Sequence, residues 1–173
     1  CQFEKRHHNW DIDINNISFA VGIVPALSEL VKEHTKPGDK VLIQTPVYPE
    51  FYDVVEAWEG RSVIENILKE NEGYYTIDFE DFEAKLKMEP KLFILCNPHN
   101  PVGRVWKKEE LKKMLDLCLK YKVPVIADEI HGDMELFGNK YTPVATLSDE
   151  IMRNTTCCFS ATKTFNLAGL QAC

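Results

Sequence analysis

The 173-residue sequence lacks the common glycine-rich nucleotide signatures. No G-x-G-x-x-G follows an expected strand and no G-x-x-x-x-G-K-[ST] loop occurs. H-E-x-x-H is missing, and so is the G-x-S-x-G of a hydrolase elbow. None of the six cysteines (Cys1, Cys96, Cys118, Cys157, Cys158 and Cys173) forms a C-x-x-C pair. Adjacent Cys157 and Cys158 would point to opposite faces of a strand, which suits packing better than a disulfide. Buried, reduced thiols are expected, as in the cytoplasm. No apolar run approaches the roughly 18 residues of a helical membrane span, and no signal-peptide pattern is visible. Positive charge is in deficit: 20 Lys and Arg face 27 Asp and Glu, for a formal net charge of −7. That argues against a nucleic-acid partner. Repeats and low-complexity segments are absent too.

What is present has the profile of a globular domain with a real core, at 45% hydrophobic and 27% charged residues. Short apolar strands alternate with amphipathic helices. "PALSELVKEH" (25–34) opens with Pro in a first-turn position and repeats apolar residues at Leu27, Leu30 and Val31. "KVLIQT" (40–45) predicts a buried strand, and "PEFYDVVEAWEG" (49–60) a helix closed by glycine. "SVIENIL" (62–68) alternates as a strand. "IDFEDFEAKLK" (77–87) predicts a helix capped by Asp78, with Phe79, Phe82 and Leu86 on one face. "KLFILCNP" (91–98) is an apolar strand running into a proline-rich turn. "KKEELKKMLDLCLKYK" (107–122) is the clearest helix, its stripe formed by Leu111, Met114, Leu115, Cys118 and Leu119. "VPVIADE" (123–129) and "TTCCFSA" (155–161) complete the expected strands. The pattern predicts an α/β fold, three layers with a mostly parallel sheet.

Ligands of such sheets bind outside the carboxyl ends of the strands. Three polar clusters lie at those ends: "CNPHNPVG", "DEIHGD" and "SATK". They are expected to converge in one crevice. Taken alone, Lys163 reads as a surface lysine in a turn and the acids of "DEIHGD" as solvated. Asp128, Glu129, His131 and Asp133 could each ligate a metal, but strand alternation sends Asp128 and Glu129 to opposite faces. A Lys, an Asp and an Asn at neighbouring strand ends suit another chemistry better. A lysine amine forms a Schiff base with an aldehyde cofactor. A carboxylate facing a pyridine nitrogen keeps it protonated. An amide NH2 or imidazole stabilises a neighbouring phenolate. Hydroxyls and a helix N-terminus receive a phosphate.

"CNPHNPVGRVW", "DEIHGD" and "SATKTFNLAGLQ", in this order, resemble the fold-type I pyridoxal-phosphate enzymes of aminotransferase class I and II. The wording is most similar to the MalY/PatB-type cystathionine β-lyase (C–S lyase) branch. The resemblance runs from "RHHNW" to "LAGLQ". It implies pyridoxal 5'-phosphate as cofactor, a small-molecule amino-acid substrate and a homodimer. It implies that Lys163 is the Schiff-base lysine, which then shuttles the α-proton. By the same resemblance Asp128 pairs with the pyridinium nitrogen. Asn100 bonds the ring hydroxyl, with His131 beside the same oxygen. Tyr48 stacks on the ring. Ser160, Thr162 and the turn at Gly22 and Ile23 receive the phosphate. His99 is expected to line the turn and Arg104 to serve as a structural ion-pair residue, and Asn100–Pro101 is expected to be cis. One departure stands out: many aminotransferases place a phosphate-binding Arg where this chain has Gln171, which weakens the plain aminotransferase reading more than the cofactor assignment.

The expected activity is therefore C–S β-lysis or transamination. Two other readings stay open. One is the cofactor-binding sensor domain of an aminotransferase-like transcription regulator, the other a metal-dependent enzyme. No Met opens the chain, and it stops at "AGLQAC" inside an expected helix. Residues 1–173 are thus expected to be the central part of a cofactor-binding large domain. The N-terminal segment and the C-terminal small domain, which carries the substrate-carboxylate Arg in the family, lie outside it. The piece alone is expected to be poorly active or inactive.

Overall fold

The computed structural model describes all of residues 1–173. In chain order the elements are α1 (Gln2–His8), a 3₁₀ turn (Ile14–Asn16), α2 (Ile23–His34), β1 (Lys40–Thr45), α3 (Glu50–Glu56), β2 (Ser62–Ile67), β3 (Lys69–Asn71), β4 (Tyr74–Thr76), α4 (Phe79–Leu86), β5 (Leu92–Cys96), α5 (Lys108–Tyr121), β6 (Val125–Asp128), a 3₁₀ turn (Val144–Thr146), α6 (Asp149–Arg153), β7 (Thr155–Cys158), α7 (Ala161–Thr164) and a last 3₁₀ turn (Ala168–Leu170). Five strands form one sheet in the order β2-β1-β5-β6-β7, every neighbouring pair parallel. β3 and β4 make a separate antiparallel hairpin.

Two apolar clusters sandwich the sheet, which makes three layers. Val41, Ile43, Leu92, Ile94 and Ile126 face one way and pack with Leu27, Val31, Phe51 and Val55 of α2 and α3. Leu42, Phe93, Leu95, Val125 and Ala127 face the other way and meet Phe82, Leu86, Leu111, Met114, Leu115 and Ile151 of α4, α5 and α6. Burial on both faces is why β1 and β5 read as unbroken apolar runs rather than alternating ones. Asp78 caps α4 as expected, its carboxylate accepting from the Glu80 and Asp81 amides. From β1 the chain steps outward to β2, then crosses back over β1 to β5 and proceeds the other way. The strand order therefore reverses between β1 and β5, and the crevice of such a sheet opens at that reversal.

Several expectations need correction. α3 stops at Glu56, short of glycine. Gly60 instead sits in a left-handed loop (φ 74°), where an added Cβ would lie 3.0 Å from Pro37 Cβ. The strand expected over 155–161 ends at Cys158, because the Ser160 side chain accepts from the Thr162 amide and starts α7. The final residues are not α-helical: Gln171 is left-handed (φ 46°), and Cys173 exchanges two backbone hydrogen bonds of 3.0 Å with Ala20. α1, the β3–β4 hairpin and α6 have no counterpart in the sequence reading. All six cysteines are free thiols, and Cys157 and Cys158 do pack on opposite faces. No helix is long and apolar enough to cross a membrane.

Candidate active site at the strand ends

β5, β6 and β7 end level with one another. Cys96 pairs with Asp128, and Asp128 with Cys158. In-register parallel neighbours project to the same side, so these three side chains form a row facing the layer of α2 and α3. Asp128 is thereby walled by two thiols and is only 6% exposed. Its single hydrogen-bond partner in the chain is the Ile130 amide, 3.2 Å from Oδ1, and no cation pairs with it. Burial pushes its pKa up to about 6, which the Ile130 amide only partly offsets.

Glu129 turns to the other side. Its Oε1 accepts from Asn97 Nδ2 at 2.9 Å and from the Val144 amide at 3.1 Å, while Asn97 Nδ2 also donates to the Thr142 carbonyl at 3.1 Å. It therefore fastens the loop over 142–144 to the strand ends. Burial raises its pKa to about 7. Asp133 is drawn away toward α1. The potential ligands of "DEIHGD" are thus divided among three directions.

The turn after β5 is built by fixed side chains. Asn97–Pro98 and Asn100–Pro101 are cis, the second as expected. His99 is buried, and burial lowers its pKa to about 4, so the ring is neutral at pH 7. Its Nε2 lies 2.9 Å from the Pro46 carbonyl. A carbonyl only accepts, so Nε2–H donates, tying the β5 turn to the loop after β1. Trp106 Nε1 donates to the Cys96 carbonyl at 3.0 Å. Arg104 is the structural ion-pair residue foreseen. Its Nη2 reaches both Glu110 oxygens at 3.0 and 2.9 Å, Nη1 donates to the Tyr75 carbonyl, and the guanidinium lies over the Tyr74 and Trp106 rings. Glu110 also accepts from the Lys107 amide at 2.8 Å, anchoring the start of α5. With side chains 7% and 21% exposed, Arg104→Met is expected to cost about 3 kcal/mol, since it strands a shielded carboxylate. Urea denaturation checks this, and a loss below about 1 kcal/mol would reduce the pair to an ordinary surface bridge.

These turns place Tyr48 and the Asn100 backbone near the Cys96–Asp128 row, and His131 within the field of Lys163. Asn100 holds its backbone amide 3.4 Å from Cys96 Sγ, and its side-chain amide makes no hydrogen bond in the chain. Tyr48 follows β1, packs against the apolar cluster of α2 and α3, and senses Asp128. The Glu50 carboxylate beside its hydroxyl, then burial, raise its pKa. His131 is half-buried, and burial, followed by the charge of nearby Lys163, lowers its pKa. The imidazole is therefore neutral at pH 7 and feels the charge of Lys163. Lys163 lies not at a strand terminus but in the first turn of α7, exposed.

The residues read as phosphate ligands sit differently. Gly22 N-caps α2 with φ 136°, a conformation open to glycine, and Ile23 begins that helix with its side chain buried. Ser160 Oγ lies 2.8 Å from Thr162 Oγ1 and donates to the Ala172 carbonyl at 2.5 Å. Those hydroxyls are occupied with each other and with the chain end, a pairing no local pattern announces. His8 and Asp133, joined at 2.6 Å across the molecule, were not singled out as partners from sequence either. A cavity of about 240 Å³ is lined by Phe3, Trp10, Glu129, Tyr141, Phe159 and Ser160 among others, and Asp128 is not among its walls.

A model of the family described as aminotransferase class I and II matches residues 1–172. The chain is 49% identical to cystathionine beta-lyase PatB of Bacillus subtilis, over 99% of its own length and 44% of that protein's. To protein MalY of Escherichia coli it is 34% identical, over 97% of its length and 42% of the relative's. Among solved structures, cystalysin from Treponema denticola, which contains pyridoxal 5'-phosphate, superposes with a TM-score of 0.96 at 41% identity, covering 99% of this chain and 43% of that one. The chain spans less than half the length of each of these relatives.

Proposed function

The chain belongs to the aminotransferase class I and II family, and we propose that the complete protein is a pyridoxal-phosphate-dependent enzyme acting on amino acids. Its reaction on this reading is C–S β-cleavage of cystathionine or cysteine conjugates, with transamination as the related outcome. The observation that carries the proposal is Asp128. A carboxylate that is only 6% exposed, without a cationic partner, at the ends of parallel strands, is an electrostatic debt within the chain. A cationic ring nitrogen is the group that would settle it, so the donor set fits the cofactor. The relative PatB is named a lyase and the matching family is described as aminotransferases, which favours neither the regulator nor the metal reading.

When bound, the cofactor supplies an electron sink that acidifies the α-hydrogen of an amino acid and eases departure of a β-thiolate. Lys163 Nζ would hold it covalently and, once the substrate amine has taken its place, would accept the proton from substrate Cα and pass it to the departing thiolate. Asp128 keeps the ring nitrogen protonated. The unbonded Asn100 amide donates to the ring oxygen, and the neutral His131 ring stands with it. Tyr48 covers the ring face. Ser160, Thr162 and the amides at Gly22 and Ile23, at the positive end of α2, receive the phosphate. This last step requires Ser160 to exchange its bond to the Ala172 carbonyl for a phosphate oxygen. Gln171 leaves that phosphate without a guanidinium, which favours the lyase side. We further propose that the complete protein is a homodimer, as the family reading implies, and cytoplasmic, as its cysteine pattern suggests.

The test is borohydride reduction of the cofactor-loaded, full-length protein followed by peptide mapping. The adduct is expected on Lys163, and an adduct on another lysine would remove the assignment. Pyruvate release from cystathionine, against keto-acid-dependent amino transfer, then decides between lyase and transaminase.

A further inference from the structure

α7 is a poor platform for a reactive lysine. It has four residues and none of them is buried, so apolar packing does not fix it. A reacting group displaced by about 1 Å can lose about 100-fold in rate, so something else must hold the turn. At its N-terminal end the Ser160 cap does so. At its C-terminal end Thr164, the residue after Lys163, donates from Oγ1 to Asp133 Oδ2 at 2.7 Å.

Asp133 is itself anchored. Its other oxygen lies 2.6 Å from His8 Nε2, and the two side chains are 20% and 6% exposed. The His8 ring meets Tyr141 edge-on with centroids 5.0 Å apart, and Phe3 of the same helix meets Phe165 at 5.7 Å. α1 therefore braces the segment that carries Lys163 from both sides of Asp133. Asp133 is also two residues beyond His131, in the same short loop. One carboxylate thus ties the loop of the imidazole to the helix of the lysine.

We propose that Asp133 is a positioning residue for Lys163, acting through the Thr164 hydroxyl and braced by His8. The inference rests on the role proposed above for Lys163. Its strength lies in the chemistry of the link: a carboxylate accepts from two donors at once, and each donor comes from a different segment. Asn in its place keeps the shape and one acceptor oxygen but loses the second acceptor and the charge-assisted bonds.

The experiment uses the full-length protein and three variants. Thr164→Val keeps the shape and removes the donor, Thr164→Ser keeps the donor, and Asp133→Asn weakens the acceptor. Two quantities are read besides turnover: the rate at which cofactor-free protein captures added pyridoxal phosphate, and the pH midpoint of the visible absorbance band that forms. Thr164→Val and Asp133→Asn are expected to slow capture by about 10- to 100-fold and to move the midpoint in the same direction. Thr164→Ser is expected to restore both. The double variant is expected to be no worse than the weaker single one, because the two residues act as one unit. Unchanged capture and midpoint in Thr164→Val, with the borohydride adduct still on Lys163, would overturn the inference and leave the Lys163 reading standing. A loss of folding stability alone, with both readouts unmoved, would overturn it equally. An adduct elsewhere would instead remove the reading on which it rests.

Discussion

Lys163→Ala in the full-length protein is expected to slow turnover by about 1,000-fold or more, the largest effect of any single change. Two functions vanish together. On the proposed reading the covalent hold on the cofactor is lost, and so is the group that moves the proton at substrate Cα. General acid–base catalysis alone contributes about 100- to 10,000-fold. Cofactor is expected to wash out on gel filtration, with no borohydride-stable adduct. Folding should be unaffected, because the side chain is exposed and α7 buries nothing. Urea midpoints of mutant and wild type are therefore expected to coincide. Turnover within about ten-fold of wild type would show that a different group moves the proton. His131, neutral and within the field of Lys163, is then the next candidate.

Much of this site is legible in the sequence because it is built at strand ends. Apolar runs of four to six residues became β1, β5 and β6 within a few residues of their expected limits. Their C-terminal punctuation, Pro46, Asn97 and Glu129, marked where the crevice opens. The α5 stripe was equally clear, since one buried face at helical spacing is a local signal. Other features are not local. The β3–β4 hairpin turns through Glu72 and Gly73, both at positive φ. Glu is seldom found in that conformation, so "NEGY" does not announce the turn as Asn-Gly would. α1 has no buried residue and no periodic stripe. The bonds from His8 to Asp133 and from Ser160 to Ala172 depend on where the folded chain brings segments together. Sequence chemistry thus proposes the reactive groups, and the structure shows which bonds hold their segments.

Asp128 separates stability from function. In the cofactor-free protein its pKa is about 6 in place of 3.8. An acid whose pKa rises on folding binds its proton more tightly in the folded state. Its contribution to stability is therefore most favourable below about pH 4, falls as pH rises to about 6, and is a constant penalty above that. A shift of this size corresponds to a penalty on the order of 3 kcal/mol at pH 7. Asp128→Asn removes the titration and keeps an acceptor for the Ile130 amide. The cofactor-free mutant is accordingly expected to be more stable than wild type at pH 7, with the difference closing as pH falls toward 4. Urea midpoints across pH 4–7 measure this. The same mutant is expected to lose about 100-fold or more in turnover, because nothing then keeps the ring nitrogen protonated. A group that destabilises the chain alone and is needed once the cofactor arrives has its energetic reason in the bound state. Equal stability of the two proteins at pH 7 would mean that solvent or a cation already offsets the Asp128 charge. The fit between this carboxylate and a cationic ring would then lose its physical basis.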